Sequence, residues 1–291
     1  MRILASFVVA AAALAGCGQS QDDGRKEVLN AMPAAATFDG ADYADQAGKI
    51  AHGKRLATLF GCNACHGADY AGLNFGEIIP IVEGLWASNI SLTMRAMSDV
   101  ELERLLREGV HPTRELYVMP SKQTQFLSDR DMAALLAFLR TISPVGKPTP
   151  VPPKGFVSAV TARLPDDYWL TQQDREKRPY HNAAEEVAYF AAHQPPSLGP
   201  QLARGRMIAA SLCSSCHGAA LDGLGEPAGN VQGALAYDDA AFNRLLVDSI
   251  DRTGKRVLVE WGFGHEAQRL TDAERRDVIA YVRALARTRA R

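Results

Sequence analysis

Cysteine is almost absent from this chain outside two short motifs. The 291 residues hold five cysteines, four of them within two copies of one pentapeptide, so only Cys17 is left over. That leaves none for a structural disulfide elsewhere, and none for a cysteine ligand to a redox metal. An excess of either charge is also missing. With 32 basic and 33 acidic residues the formal net charge is −1, and no dense basic cluster exists to bind nucleic acid or another polyanion. No apolar run has the length of a comfortable membrane span; the best, Ile3 to Leu14, falls well short of the ~20 residues a spanning helix needs. Finally, methionine disappears after Met207, an absence that later separates the two halves of the molecule.

What is present is a repeat. Cys62-Asn63-Ala64-Cys65-His66 returns as Cys213-Ser214-Ser215-Cys216-His217. Cys-x-x-Cys-His is the attachment signature of c-type haem. Two thiols spaced across one helical turn match the two vinyl groups they add to, and the adjacent histidine is carried under the iron as proximal ligand. A thioredoxin-like redox pair would open a helix after a strand, and neither copy follows a convincing strand. A zinc ribbon would join both pairs on one metal, but the copies are too far apart in sequence and each carries its own histidine. The expectation is two covalently bound haem c groups, held by Cys62, Cys65, Cys213 and Cys216, with His66 and His217 as iron ligands.

The amino terminus reads as an address. Met1-Arg2 is followed by the apolar run and then Leu14-Ala15-Gly16-Cys17, which resembles a bacterial lipoprotein signal cut before a lipidated Cys17; an ordinary secretory peptide is the alternative. Either way the chain is expected to be exported to the periplasm; in the lipoprotein reading several acyl chains on Cys17 anchor it firmly to a membrane. Gly18 after the cysteine, where an aspartate is associated with inner-membrane retention, points to the outer membrane.

The expected organisation is a signal peptide over 1–16, a lipid-anchored flexible tether over 17–44 with a reach of about 25 to 30 Å, domain 1 over 45–143, a connector over 144–198, and domain 2 over 199–291. Each motif is led by an alanine-rich helix, around Gly53-Lys54-Arg55-Leu56 and Gly205-Arg206-Met207-Ile208. Each domain closes with a capped amphipathic helix, opening at Ser128 and Thr271, the latter with Glu274 as a capping box. The connector begins with the proline-rich stretch 143–153, of extended and stiff character. It then carries Tyr168-Trp169, read as pins onto a domain, and a short helix from Asn182 to His193.

These features together resemble class I cytochrome c, in tandem and of lipoprotein type, which implies an all-α fold. In that family a small residue on the first helix meets an aromatic on the last; Gly53 with Phe138 and Gly205 with Tyr281 are similar pairs. The resemblance also implies a distal methionine between the middle and last helices, where Val118-Met119-Pro120 lies, with His111 as the competitor. It implies a proline carbonyl accepting the proximal imidazole proton, with Pro80 and Pro227 as candidates. The second half has no methionine to offer. Aligning Arg114-Glu115-Leu116 with Arg256-Val257-Leu258 puts Trp261 near the expected position, followed by the glycine-flanked His265. The alternatives are a five-coordinate iron or a remote ligand such as His181 or His193.

An iron with both axial positions filled transfers electrons, whereas an open one supports catalysis. The leading expectation is therefore a membrane-anchored periplasmic dihaem cytochrome c passing single electrons between redox proteins such as a dehydrogenase, oxidase or reductase. The alternatives are a peroxidase-like dihaem enzyme with an open or His-ligated C-terminal haem, and a cytochrome subunit held in a dehydrogenase complex.

Overall fold

A computed structural model describes residues 32, 36–77, 83–152, 182–223, 229–257 and 264–290. The first domain is led by α1 (Gln46–Leu59), started by the Asp45 carboxylate, which accepts from the Gly48 amide at 2.7 Å. Gly61, in the left-handed region at φ 67°, turns the chain directly into α2 (Cys62–His66). A two-residue antiparallel ladder of β1 (Leu73–Asn74) and β2 (Trp86–Ala87), α3 (Ile90–Thr93), α4 (Asp99–Glu108), α5 (Ser121–Thr124) and α6 (Asp129–Leu139) follow. The second domain repeats the plan with α8 (Ala203–Ile208), a π-helical turn Ala209–Cys213, α9 (Ser214–His217), α10 (Asp239–Asp248) and α11 (Asp272–Arg289). Between them lies connector helix α7 (Ala183–Ala192), capped by Asn182 as its sequence predicts.

The first and last helices of each domain cross where the sequence expects them to. A Cβ at Gly53 would collide with the Ala134 carbonyl and stand 2.8 Å from the Phe138 Cβ. At Gly205 the corresponding groups are the Asp277 carbonyl and, again at 2.8 Å, the Tyr281 Cβ. Glycine therefore lets the helices approach to backbone contact. Around the crossings Leu56, Leu135 and Phe138 in one domain, and Met207, Leu212, Tyr281 and Leu285 in the other, are buried within one continuous apolar cluster. The ring of Tyr281 reaches beyond its domain, and its hydroxyl donates to the Pro196 carbonyl at 2.8 Å.

The segment between the domains is fastened at both described ends. Asn89 donates to the carbonyls of Val145 (2.7 Å) and Lys147 (3.0 Å), which pins the start of the proline-rich stretch. Further on, Lys122 of α5 pairs with Glu186 of α7 at 2.6 Å, both nearly buried, and its ammonium stands 4.8 Å from the centre of the Phe190 ring. Tyr168 and Trp169 lie outside the described residues.

One expectation is corrected. The tether assigned to 17–44 does not stay free to its end: Phe38 is 1% exposed, and Thr37 to Ala41 are bonded to both domains. The Phe38 amide donates to Asp131 of α6 and the Asp39 amide to Glu274 of α11. A polar composition concealed this, because many of the binding groups belong to the backbone and their partners lie far away in sequence.

Candidate haem-binding sites

The two motifs build the same backbone. Each short helix ends on a glycine at positive φ, Gly67 at 80° and Gly218 at 84°. In each, a residue four beyond the histidine is held in the left-handed region, Tyr70 at φ 63° and Leu221 at 62°, its amide donating to that glycine's carbonyl. Gly72 and Gly223 then return a 2.8 Å hydrogen bond to the carbonyls of His66 and His217. Bulky residues at positive φ are strained, and the same strain at the same offset marks one device built twice.

Each histidine is oriented from behind. Nδ1 of His66 donates to the Ser88 carbonyl at 2.8 Å, and Nδ1 of His217 to the Gly229 carbonyl at 2.7 Å. The tautomer so fixed leaves the Nε2 lone pair as the ligating atom. The accepting carbonyls among the described residues are those of Ser88 and Gly229; Pro80 and Pro227 lie outside the described residues. A backbone carbonyl leaves no side-chain signature, so sequence offers no signal for it. Burial, above all, lowers the proton affinity of His66, and Arg114 adds to that; the ring is held neutral, as a ligand must be. Burial likewise pushes the thiols of Cys62 and Cys213 up to about 12.

His66 opens onto an apolar cleft with about 1120 Å³ of empty space, its mouth included. Cys62 and Cys65 line the cleft, together with Trp86, Met94 and Leu102, and so do Met119 and His111. Arg114 reaches it as well. Its Nε is buried without a partner among the described residues, while a terminal nitrogen donates to the Ser88 hydroxyl at 2.5 Å. Desolvation lowers its proton affinity. In the sequence Arg114 is marked only by its alignment with Arg256 in the other half.

In the second domain His265 begins a single 3-10 turn, His265–Gln268, held to the wide turn before α9 by the Gln268 amide on the Leu212 carbonyl at 3.1 Å. The rings of His217 and His265 are 6.2 Å apart, their planes within 23°. Rings in direct contact stand far closer, as Tyr189 and His193 do at 4.1 Å. Two imidazoles binding one ion from opposite sides, with metal–nitrogen bonds of ~2.0–2.1 Å and ring centres ~1.1 Å behind, would be ~6.3 Å apart. His193 is occupied on the connector by Tyr189, while His181 and Trp261 lie outside the described residues.

The donor sets fit haem c: two thiols and one oriented imidazole at an apolar wall, with an unpaired buried guanidinium N–H in the first site for a carboxylate of the group. Among the described residues no three or more His, Cys, Asp or Glu side chains are grouped as a separate metal site. The four motif cysteines are unbridged. The family model for cytochrome c matches the chain twice, over residues 50–143 and 202–286, together more than half its length. The chain belongs to the cytochrome c family. No curated protein matches it. It is a tandem cytochrome with two cytochrome c domains, and it binds two covalent haem c groups and transfers electrons through them. Haem supplies the one-electron chemistry; the protein supplies ligands, insulation and access.

Proposed function

We propose that this cytochrome is an electron relay, not an independent enzyme, and that both of its irons are closed by protein on both sides. In this reading Cys62 and Cys65 bind one haem with His66 and Met119 as axial ligands, and Cys213 and Cys216 bind the other with His217 and His265. The observation that carries it is the 6.2 Å separation of two nearly parallel imidazoles in the second site, a gap fitted to one metal ion. In the first site, Met119 is supported by what His111 does: its Nδ1 accepts from the Thr113 amide at 3.2 Å. That commits the lone pair of a neutral ring and leaves a proton on Nε2. A thioether ligand raises the potential of the first iron above that of a bis-histidine second iron.

The relay works in the periplasm in this proposal, with haem domains over 45–143 and 199–291, a signal over 1–16 and a lipid on Cys17. Its support is the leader sequence; among the described residues no helix is long and apolar enough to cross a membrane. Partners are other redox proteins, a dehydrogenase on the donor side and an oxidase or reductase on the acceptor side.

A spectroscopic redox titration with added carbon monoxide and cyanide tests the reading. Two separated one-electron waves and no rapid ligand binding are expected. Ready carbon monoxide binding at the second haem together with peroxide turnover would replace the relay by the peroxidase-like alternative.

A further inference from the structure

The loop that carries Met119 is held by a helix that belongs to neither cytochrome c domain. Residues 110–120 run from the end of α4 to the start of α5 without helix or strand, so their own backbone does little to fix them. Connector helix α7 grips this stretch at both ends and in the middle. At the near end Gly109, in the left-handed region at φ 69°, leaves room for the helix: a Cβ there would stand 2.6 Å from the Ala183 carbonyl carbon. In the middle the Ala183 amide donates to the Leu116 carbonyl at 2.7 Å, and the Asn182 side-chain amide to the Glu115 carboxylate at 2.9 Å. At the far end Lys122 of α5 pairs with Glu186 and stands against the Phe190 ring.

The middle grip uses groups that a helix start leaves spare. The Ala183 amide is among the first of α7, which have no partner inside the helix, and Ala183 is fully buried, so Leu116 supplies the acceptor it needs. Asn182 divides its side chain. The oxygen accepts from the Glu185 amide at 2.9 Å and caps α7, while the nitrogen serves the carboxylates of Glu115 and Glu185. The proline-rich stretch brings the connector to the same loop a second time, because Val151 and Pro152 line the cleft beside Arg114, Glu115 and Tyr117.

We propose that the connector is a working part of the first haem site, and that Asn182 is a positioning residue which, through Glu115, fixes the Met119 loop over the cleft and limits the entry of foreign ligands. The proposal rests on the reading of Met119 as distal ligand. Arg114 and Met119 both reach the cleft from this loop, so a displaced loop withdraws the thioether and widens the cleft in one movement.

Asn182→Asp isolates the grip. Aspartate caps a helix as well as asparagine does, but it donates nothing to Glu115 and sets two like charges together. Glu115→Gln in the same chain restores the bond with donor and acceptor exchanged. In the full-length haem-loaded protein, hydrogen exchange across residues 110–120 should rise about threefold or more in Asn182→Asp, in keeping with the loss of one exposed hydrogen bond. Exchange in α6 and α7 should stay as in wild type, and the double variant should return the loop to wild-type exchange. Imidazole added to the oxidised protein should bind at the first haem faster by a similar factor in Asn182→Asp alone. Unchanged exchange in the loop, a rise shared by α6, or a double variant as loose as the single one overturns the positioning role. Loop exchange that rises without faster imidazole binding overturns the control of access. Rapid imidazole binding at the first haem of the wild-type protein would instead remove Met119 from the ligand set, and the grip of Asn182 on the loop, read by exchange, would stand.

Discussion

Asp131 and Glu274 hold the same position, the third residue of the closing helix of their respective domains, and they accept from consecutive backbone amides, Phe38 at 3.2 Å and Asp39 at 2.9 Å. Both carboxylates are fully buried, and each also serves its own helix cap, with Ser128 and Thr271. Each also takes a side chain from α1: the free oxygen of Asp131 pairs with His52 at 2.7 Å, and the cap oxygen of Glu274 accepts from Arg55. An internal repeat has thus been turned into a joint, with one short segment spanning two equivalent caps.

The joint should respond to acid through Asp39. Burial raises its proton affinity, but hydrogen bonding from Thr271 and the charge of Arg204 outweigh this and leave its pKa below the ordinary 3.8. A carboxyl with a depressed folded pKa stabilises the fold above its unfolded value and loses that contribution as pH falls through the folded one. Asp39→Asn should therefore lower the melting temperature near neutral pH, and the difference from wild type should vanish well below pH ~3.8. A difference that persists at the lowest accessible pH would exclude charge as the cause.

Replacing Gly53 or Gly205 by alanine should be costly, because the new methyl meets a helix backbone carbonyl that cannot rotate away. The loss should reach or exceed the upper end of the ~1–3 kcal/mol typical of overpacked cores. Chemical denaturation of each single variant reads it. A melting point within error of wild type would show that the helices can separate freely.

Glu186→Ala should destabilise the protein by up to ~3–5 kcal/mol, since it strands the buried ammonium of Lys122. Replacing both partners, Lys122→Met with Glu186→Leu, should recover most of that loss. A double variant as unstable as the single one would mean that the pair itself, and not the stranded charge, matters.

Met119→His should lower the higher of the two midpoint potentials by on the order of 0.1 V, a fraction of the ~0.8 V that axial ligands span. The lower potential should stay in place. His265→Ala should do the converse: it should open the second iron to carbon monoxide while the first remains closed. Unchanged low-spin spectra in the His265 variant would remove it from the ligand set.

Much of this was legible in the sequence because covalent and steric demands are local. Two pentapeptides specified the cofactor and its number; Gly53, Phe138, Gly205 and Tyr281 specified the helix crossings; Ser128 and Thr271 marked the closing helices; the missing methionine set the halves apart. Each of those signals lies in residue type and short spacing. Tertiary structure alone decided what depends on groups without a sequence signature or on partners far along the chain. The carbonyls of Ser88 and Gly229 hold the imidazoles, because any backbone carbonyl at the right point in space will serve. The end of the polar leader became a clasp because Asp131 and Glu274 needed donors and Phe38 needed burial. The ring of His265 stands 6.2 Å from that of His217 because Gln268 anchors its loop to the Leu212 carbonyl, more than fifty residues earlier in the chain.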